Sequence, residues 1–202
     1  HLRLARDLNI VIIDALNPFG HEQIIPRGML REPLEGLKRA DMIMLSHVDQ
    51  CSRDKITVIT NRLREIVRHV PIVETVHKPI CLESAKDATK VDIHCLRGKR
   101  VFVFCAIGNP VSFRKSIENL GAELAGFRVF PDHHVYTPSE LQELNAAAQS
   151  VKPDAIVITQ KDRVKIGNNL SIWAFPVWTL KIEIGVVNGC EMFENKINAI
   201  LN

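Results

Sequence analysis

Asn9-Ile10-Val11-Ile12-Ile13-Asp14 is the stretch whose reading decides the fold. An unbroken run of branched apolar residues, closed by an acid, predicts a strand buried on both faces, as in a parallel sheet covered by helices. The residues that follow keep that rhythm. Leu16 to Leu30 reads as a loop with Pro18, Gly20, Pro26 and Gly28, Leu34 to Arg39 as a short helix, and Asp41 to Ser46 as a second buried strand. A helix then starts at Ser52 or Asp54, with Ile56, Ile59, Leu63, Ile66 and Val67 at helical spacing. Arg53, Lys55, Arg62, Arg64 and Arg68 lie outside that stripe and form its solvated face. Pro71 to His77 is a third strand. The order β-α-β-α-β implies right-handed crossovers.

Pro79 to Arg97 breaks the rhythm and reads as a linker or an extended ribbon. A new series opens at Gly98-Lys99: a strand Arg100 to Ile107, a helix capped by Asn109-Pro110 with Phe113, Ile117 and Leu120 inward, and a strand Ala122 to Phe130. A helix Pro138 to Ser150, a buried strand Asp154 to Thr159, a helical turn Lys161 to Lys165, a long strand Val177 to Val187 and a helix Gly189 to Leu201 complete it, the last with Asn188 as cap. The expected organisation is residues 1–79 as one α/β core, 80–97 as linker, 98–180 as a second α/β domain, and 181–202 as a return strand and C-terminal helix.

A chain of 202 residues with 46% hydrophobic and 24% charged content can bury a proper core. The net charge of +3 and the absence of long like-charge blocks argue against nucleic acid as a partner. Five scattered cysteines with no Cys-x-x-Cys pair read as reduced thiols in a cytosolic setting. No apolar run approaches the ~20 residues of a membrane span. The first residue is His1, not Met, so what precedes it is open.

The chemistry-bearing stretch is Phe130-Pro131-Asp132-His133-His134-Val135-Tyr136, an acid and two imidazoles between a strand and a helix. Thr137, Pro138 and Glu140 form a Thr-x-x-Glu capping box with Pro in the first turn, which would hold that loop in place. Such loops lie at the sheet edge where α/β ligands bind. In the bland alternative, one imidazole bonds a backbone carbonyl and the other faces water. Asp14, at a strand end, is either a ligand-facing acid or a simple cap. Arg31-Glu32 is either a mutual ion pair or a clamp for phosphate. Gly108-Asn109-Pro110 at a strand-to-helix turn offers free N–H groups to an anion or simply turns the chain. Thr159-Gln160-Lys161-Asp162 is a capped turn or a ligand contact. The phosphate loop Gly-x-x-x-x-Gly-Lys-[Ser/Thr] is absent: around Gly98-Lys99, Ile93 and Arg100 stand where Gly and Ser or Thr are needed. Gly-x-Gly-x-x-Gly is absent too.

In order, His1 to Asp14, Phe19-Gly20, Leu30-Arg31-Glu32-Pro33-Leu34, Lys38-Arg39-Ala40-Asp41, Gly108-Asn109-Pro110 with Phe113, Phe130 to His134 with Tyr136, and Thr159-Gln160-Lys161-Asp162 with Val164-Lys165 resemble the tetraacyldisaccharide 4′-kinases. These bacterial enzymes phosphorylate the disaccharide precursor of lipid A. The resemblance runs over essentially the whole chain and rests on the ordered set. It implies an α/β fold: the C-terminal part of a P-loop kinase-type parallel sheet core plus a second, smaller α/β domain. It also implies that the phosphate loop, the metal-binding acids and the principal catalytic Asp lie upstream of His1, so that Mg2+ and ATP are bound mainly there. A membrane-anchoring helix would likewise lie upstream, at the cytoplasmic face of the inner membrane.

In this resemblance His133 orients or deprotonates the sugar 4′-hydroxyl and Asp132 steadies its ring. His1, Asp14, Arg31, Glu32, Asn109 and Asp162 would contact nucleotide or substrate, and no metal ligand is assigned. The family has Glu where Gln160 stands, which leaves no carboxylate at that position. The competing reading is a non-catalytic α/β module that binds a nucleotide-sugar or a partner. On the kinase reading, the isolated 202 residues are expected to show no ATP-dependent phosphorylation of the disaccharide. Measurable turnover by this chain alone would contradict the placement of the phosphate loop outside it.

Overall fold

The computed structural model describes residues 5–167 and 170–201. The chain divides into two compact units, His1–Lys78 with Ile184–Asn202, and Pro79–Glu183.

In the first unit, β1 (Ile10–Asp14), β2 (Met42–Ser46) and the first part of β3 (Ile72–Ser84) pair in parallel, with Asp14 opposite Ser46 and Leu45 opposite Glu74. Every residue of β2 is buried, because the two faces of the strand meet different layers. Ile43 and Leu45 pack with Ile56, Ile59 and Leu63 of α1 (Arg53–Ile66), while Met42 and Met44 pack with Phe193 of α5 (Cys190–Leu201). That two-sided cover is what the continuous apolar run demands. Ser52 caps α1 by accepting from the Lys55 N–H. Leu34–Arg39 is a 3-10 helix, not an α-helical turn.

In the second unit, β5 (Arg100–Cys105) pairs in parallel with β6 (Glu123–Val129) on one side and β7 (Ala155–Thr159) on the other, and β7 pairs in parallel with β8 (Val177–Asn188). Alternate residues of β5 face opposite layers. Val101 and Val103 meet Phe113 and Ile117 of α2 (Pro110–Asn119), and Phe102 and Phe104 meet Leu141 and Leu144 of α3 (Pro138–Val151). The turn expected at Lys161 to Lys165 is a short helix, α4 (Gln160–Ile166). The expected capping box is present at Thr137.

The stretch Pro79 to Arg97, expected as a linker, belongs to the second unit. β3 runs on to Ser84 and turns back through β4 (Lys90–Val91), which pairs with it antiparallel, and Ile93–Leu96 forms a 3-10 helix. Leu82 and Leu96 are fully buried in the same core as Val101 and Ile117. Alternating apolar residues in so short a stretch show no helical stripe, so their burial depends on partners distant in sequence. Leu82→Ala and Leu96→Ala are each expected to lower stability by ~2–5 kcal/mol in chemical denaturation. A loss below about 1 kcal/mol from both would show that the stretch is a tether and not core.

Candidate functional site

In the second unit the site residues gather beyond the C-terminal ends of β5, β6 and β7. The Phe130 N–H donates to the Cys105 carbonyl at 2.9 Å, which carries β6 pairing one residue past the strand. The chain then turns: the His134 N–H donates to the Pro131 carbonyl at 3.1 Å, and the His133 N–H to Asp132 Oδ1 at 2.9 Å. His133 at the turn has φ +63°, a left-handed conformation that disfavours a side chain.

The two imidazoles have different surroundings. His134 is partly buried, 5.0 Å from the Phe130 ring in a near-parallel stack, and its Nε2 lies 3.0 Å from Glu140 Oε2. Glu140 also accepts from the Thr137 N–H and hydroxyl, at 2.8 and 2.9 Å. Its carboxyl is held below the ordinary value, first by the Thr137 N–H, then by the Thr137 hydroxyl, with His134 adding to the effect. His134 is therefore tied to the capping box. The His133 side chain, in contrast, is 86% exposed, with Nε2 3.6 Å from Asp132 Oδ2. Neither imidazole takes the carbonyl-bonded role of the bland alternative.

Asp132 meets the neighbouring loop. Its Oδ2 lies 3.2 Å from the point a Cβ would occupy on Gly108, so a side chain at position 108 would press on the carboxylate. Asn109 next to it caps α2, its Oδ1 accepting from the Ser112 N–H at 3.0 Å. Asn109, Asp132 and His133 are thus brought to one edge of one sheet.

Asp162 has a different place from the one expected. It is fully buried, so it does not face a ligand. Its Oδ1 accepts from the Ala106 N–H at 3.0 Å and the Tyr136 hydroxyl at 2.9 Å, and its Oδ2 from the Thr159 hydroxyl at 2.6 Å. Lys165 Nζ stands 3.6 Å away and donates to the Ala106 carbonyl at 2.7 Å. Burial, and then the Asp162 charge, push the Tyr136 phenol well above its ordinary value, which keeps it a donor. Burial likewise pushes the neighbouring Cys105 thiol up to about 12. Gln160 uses its amide oxygen to accept from the Ile182 N–H at 3.1 Å.

In the first unit Asp14, Arg31 and Glu32 line one pocket of ≈ 320 Å³, with Ile12, Asn17 and Met29 among its other walls. Arg31 and Glu32 are not a mutual ion pair: Glu32 pairs with Arg39. Asp14 Oδ1 accepts from the Leu16 N–H at 3.0 Å and stands 3.0 Å from His47 Nδ1. His47 was not singled out by sequence reasoning. It follows β2 at the same sheet edge that drew attention to Asp14, and that edge was the available signal. His1 lies outside the described residues.

Parallel sheets with polar side chains gathered beyond their C-terminal edges define an α/β protein of the ligand-binding kind. The chain belongs to the tetraacyldisaccharide-1-P 4′-kinase family, whose pattern matches residues 1–202. It is 33% identical over 202 residues to a tetraacyldisaccharide 4′-kinase of Anaeromyxobacter sp. (strain K), covering 100% of this chain and 53% of the relative. It is 39% identical over 166 residues to that of Anaeromyxobacter sp. (strain Fw109-5), covering 82% and 44%. A crystal structure of LpxK from Aquifex aeolicus in complex with ATP superposes with a TM-score of 0.62 at 25% identity, covering 98% of this chain and 54% of that one. The chain spans about half the length of the curated relatives it matches.

The Asp162 network sets an expectation about stability. Tyr136→Phe removes one bond to a buried charge and is expected to cost about 1.5–3 kcal/mol. Asp162→Ala strands several donors and the Lys165 charge, and is expected to cost about 3–5 kcal/mol. Both are read by chemical denaturation, and losses under about 0.5 kcal/mol from both would contradict the network.

Proposed function

We propose that the full-length protein containing this chain transfers the γ-phosphate of ATP to the 4′-hydroxyl of a tetraacyldisaccharide 1-phosphate, in lipid A assembly. Family membership supports the reaction, and the contrast between His133 and His134 carries the assignment of residues.

Phosphoryl transfer asks the protein mainly to position groups and balance charge, with one group steering the nucleophile. An imidazole suits that role near neutral pH because it accepts and releases a proton there. His133 is solvent-facing, and Asp132 lies on its Nε2 side. Nδ1, for which no partner is found among the described residues, is then the nitrogen that meets the hydroxyl. Asp132 stands beside the ring, its Oδ2 3.6 Å from Nε2. Asn109 stands beside this edge as the helix cap. Asp162 acts at one remove, by holding Tyr136 at the end of the loop. The pocket of Asp14, Arg31 and Glu32 takes the nucleotide or phosphate side.

Magnesium accompanies ATP in reactions of this class. Among the described residues no group of His, Cys, Asp and Glu converges as a metal site. A lipid substrate places the reaction at a membrane surface, on this reading the cytoplasmic face of the inner membrane. No helix among the described residues is long and apolar enough to cross one.

In the full-length protein, His133→Ala is expected to lower kcat by about 10²–10⁴-fold, the range of a lost acid–base group. His134→Ala is expected to stay within about tenfold of the parent, since it loses a stacking and capping contact only. Steady-state kinetics with ATP and the disaccharide decides. Equal losses, or a larger loss at His134, would overturn the assignment.

A further inference from the structure

Three side chains of the first unit stand in line at the sheet edge. Asp14 ends β1, His47 follows β2, and His77 lies on β3 three residues beyond Glu74, the partner of Leu45. His47 Nδ1 is 3.0 Å from Asp14 Oδ1, and His47 Nε2 is 3.1 Å from His77 Nδ1. The two rings are 4.1 Å apart at their centroids and tilted by 58°. His47 is nearly buried and has φ +57°, so its inward ring is held against a backbone preference.

Elementary electrostatics sets the proton order along this line. A carboxylate accepts hydrogen bonds and does not donate. His47 therefore carries a proton on Nδ1, facing Asp14, while its Nε2 and His77 Nδ1 share one proton between them. The Ser46 hydroxyl, which donates to the Ile13 carbonyl at 3.3 Å, lies 3.4 Å from the same His47 Nδ1 and adds only a second acceptor there. Asp14 and Asp49 favour a charged His77, but burial, then His47, oppose it more strongly, and its pKa lies below the ordinary value. The line is a chain of hydrogen-bond contacts from Asp14 through His47 to His77.

We propose that His47 and His77 are positioning residues that fix the orientation of the Asp14 carboxylate on the wall of the pocket it shares with Arg31 and Glu32. The inference rests on the reading above, in which that pocket takes the nucleotide or phosphate side of the reaction. His47 supplies a side-chain donor to Asp14 Oδ1, beside the Leu16 N–H. His77 Nδ1 bonds the far nitrogen of His47 and so steadies its ring. Neither imidazole needs to touch the ligand.

The test uses the full-length protein and side chains that keep one half of the imidazole. Asn at position 47 places an N–H close to the Nδ1 position, whereas Gln places its amide near Nε2. His47→Gln is expected to raise KM for ATP about tenfold, from loss of a bond to a charged group, with kcat changed by less than about threefold. His47→Asn is expected to stay within about twofold of the parent in both constants. The second arm is the nitrogen spectrum of ¹⁵N-histidine protein. His47 should carry a proton at Nδ1, and Asp14→Ala should shift the Nδ1 signal at His77 as well as at His47. Equal KM values for the Gln and Asn variants would overturn the proposal, and so would a His77 signal indifferent to Asp14→Ala. If the parent protein phosphorylates nothing, the proposed reaction fails, and the nitrogen spectra alone then decide the chain of contacts.

Discussion

A buried carboxylate must be matched by donors on every side, and Asp162 meets that demand with groups from three separate segments. Ala106 follows β5, Thr159 ends β7, and Tyr136 closes the loop after β6. An unmatched charge at this depth would cost several kcal/mol, so the three segments are obliged to converge. The result is a loop fixed at both ends, by the Phe130–Cys105 backbone bond on one side and the Tyr136–Asp162 bond on the other. Between those points His134 is stacked and bonded, and His133 is left facing solvent with an acid at its side. The reactive geometry proposed for His133 follows from a group that never meets the ligand.

Much of the fold was legible in the chain because it depends on local patterns. The helical stripe from Ile56 to Val67 and the box at Thr137 and Glu140 each state their own structure, and the apolar run at Ile10 to Ile13 states a strand, though not one buried on both faces, since Ile12 is 61% exposed. Pro79 to Arg97 was not legible. Leu82 and Leu96 are buried by residues far along the chain, and nothing within the stretch announces that.

The site divides in the same way. Asp132 and His133 stand next to each other in sequence, so their pairing could be read directly. Asp162 could be read as part of a Thr-x-x-Asp turn, which it is, but its bond to Tyr136 spans 26 positions. His47 and His77 are separated by 30 positions, and each looks alone in the sequence. Only parallel pairing of β1, β2 and β3 puts them in line with Asp14. The strand-end rule that marked Asp14 applies to His47, which follows β2, but not to His77, which lies within β3.

On the proposed reading the protein uses each sheet edge for a different task, one for the phosphate side and one for the sugar hydroxyl. The central claim concerns His133, and the most direct measurement is a crystal structure of the full-length protein with ADP and the tetraacyldisaccharide 1-phosphate. The account predicts a ring nitrogen of His133 within about 3 Å of the 4′-hydroxyl, with Asp132 on the opposite side of the ring. A 4′-hydroxyl held by His134, or by no imidazole at all, would contradict it.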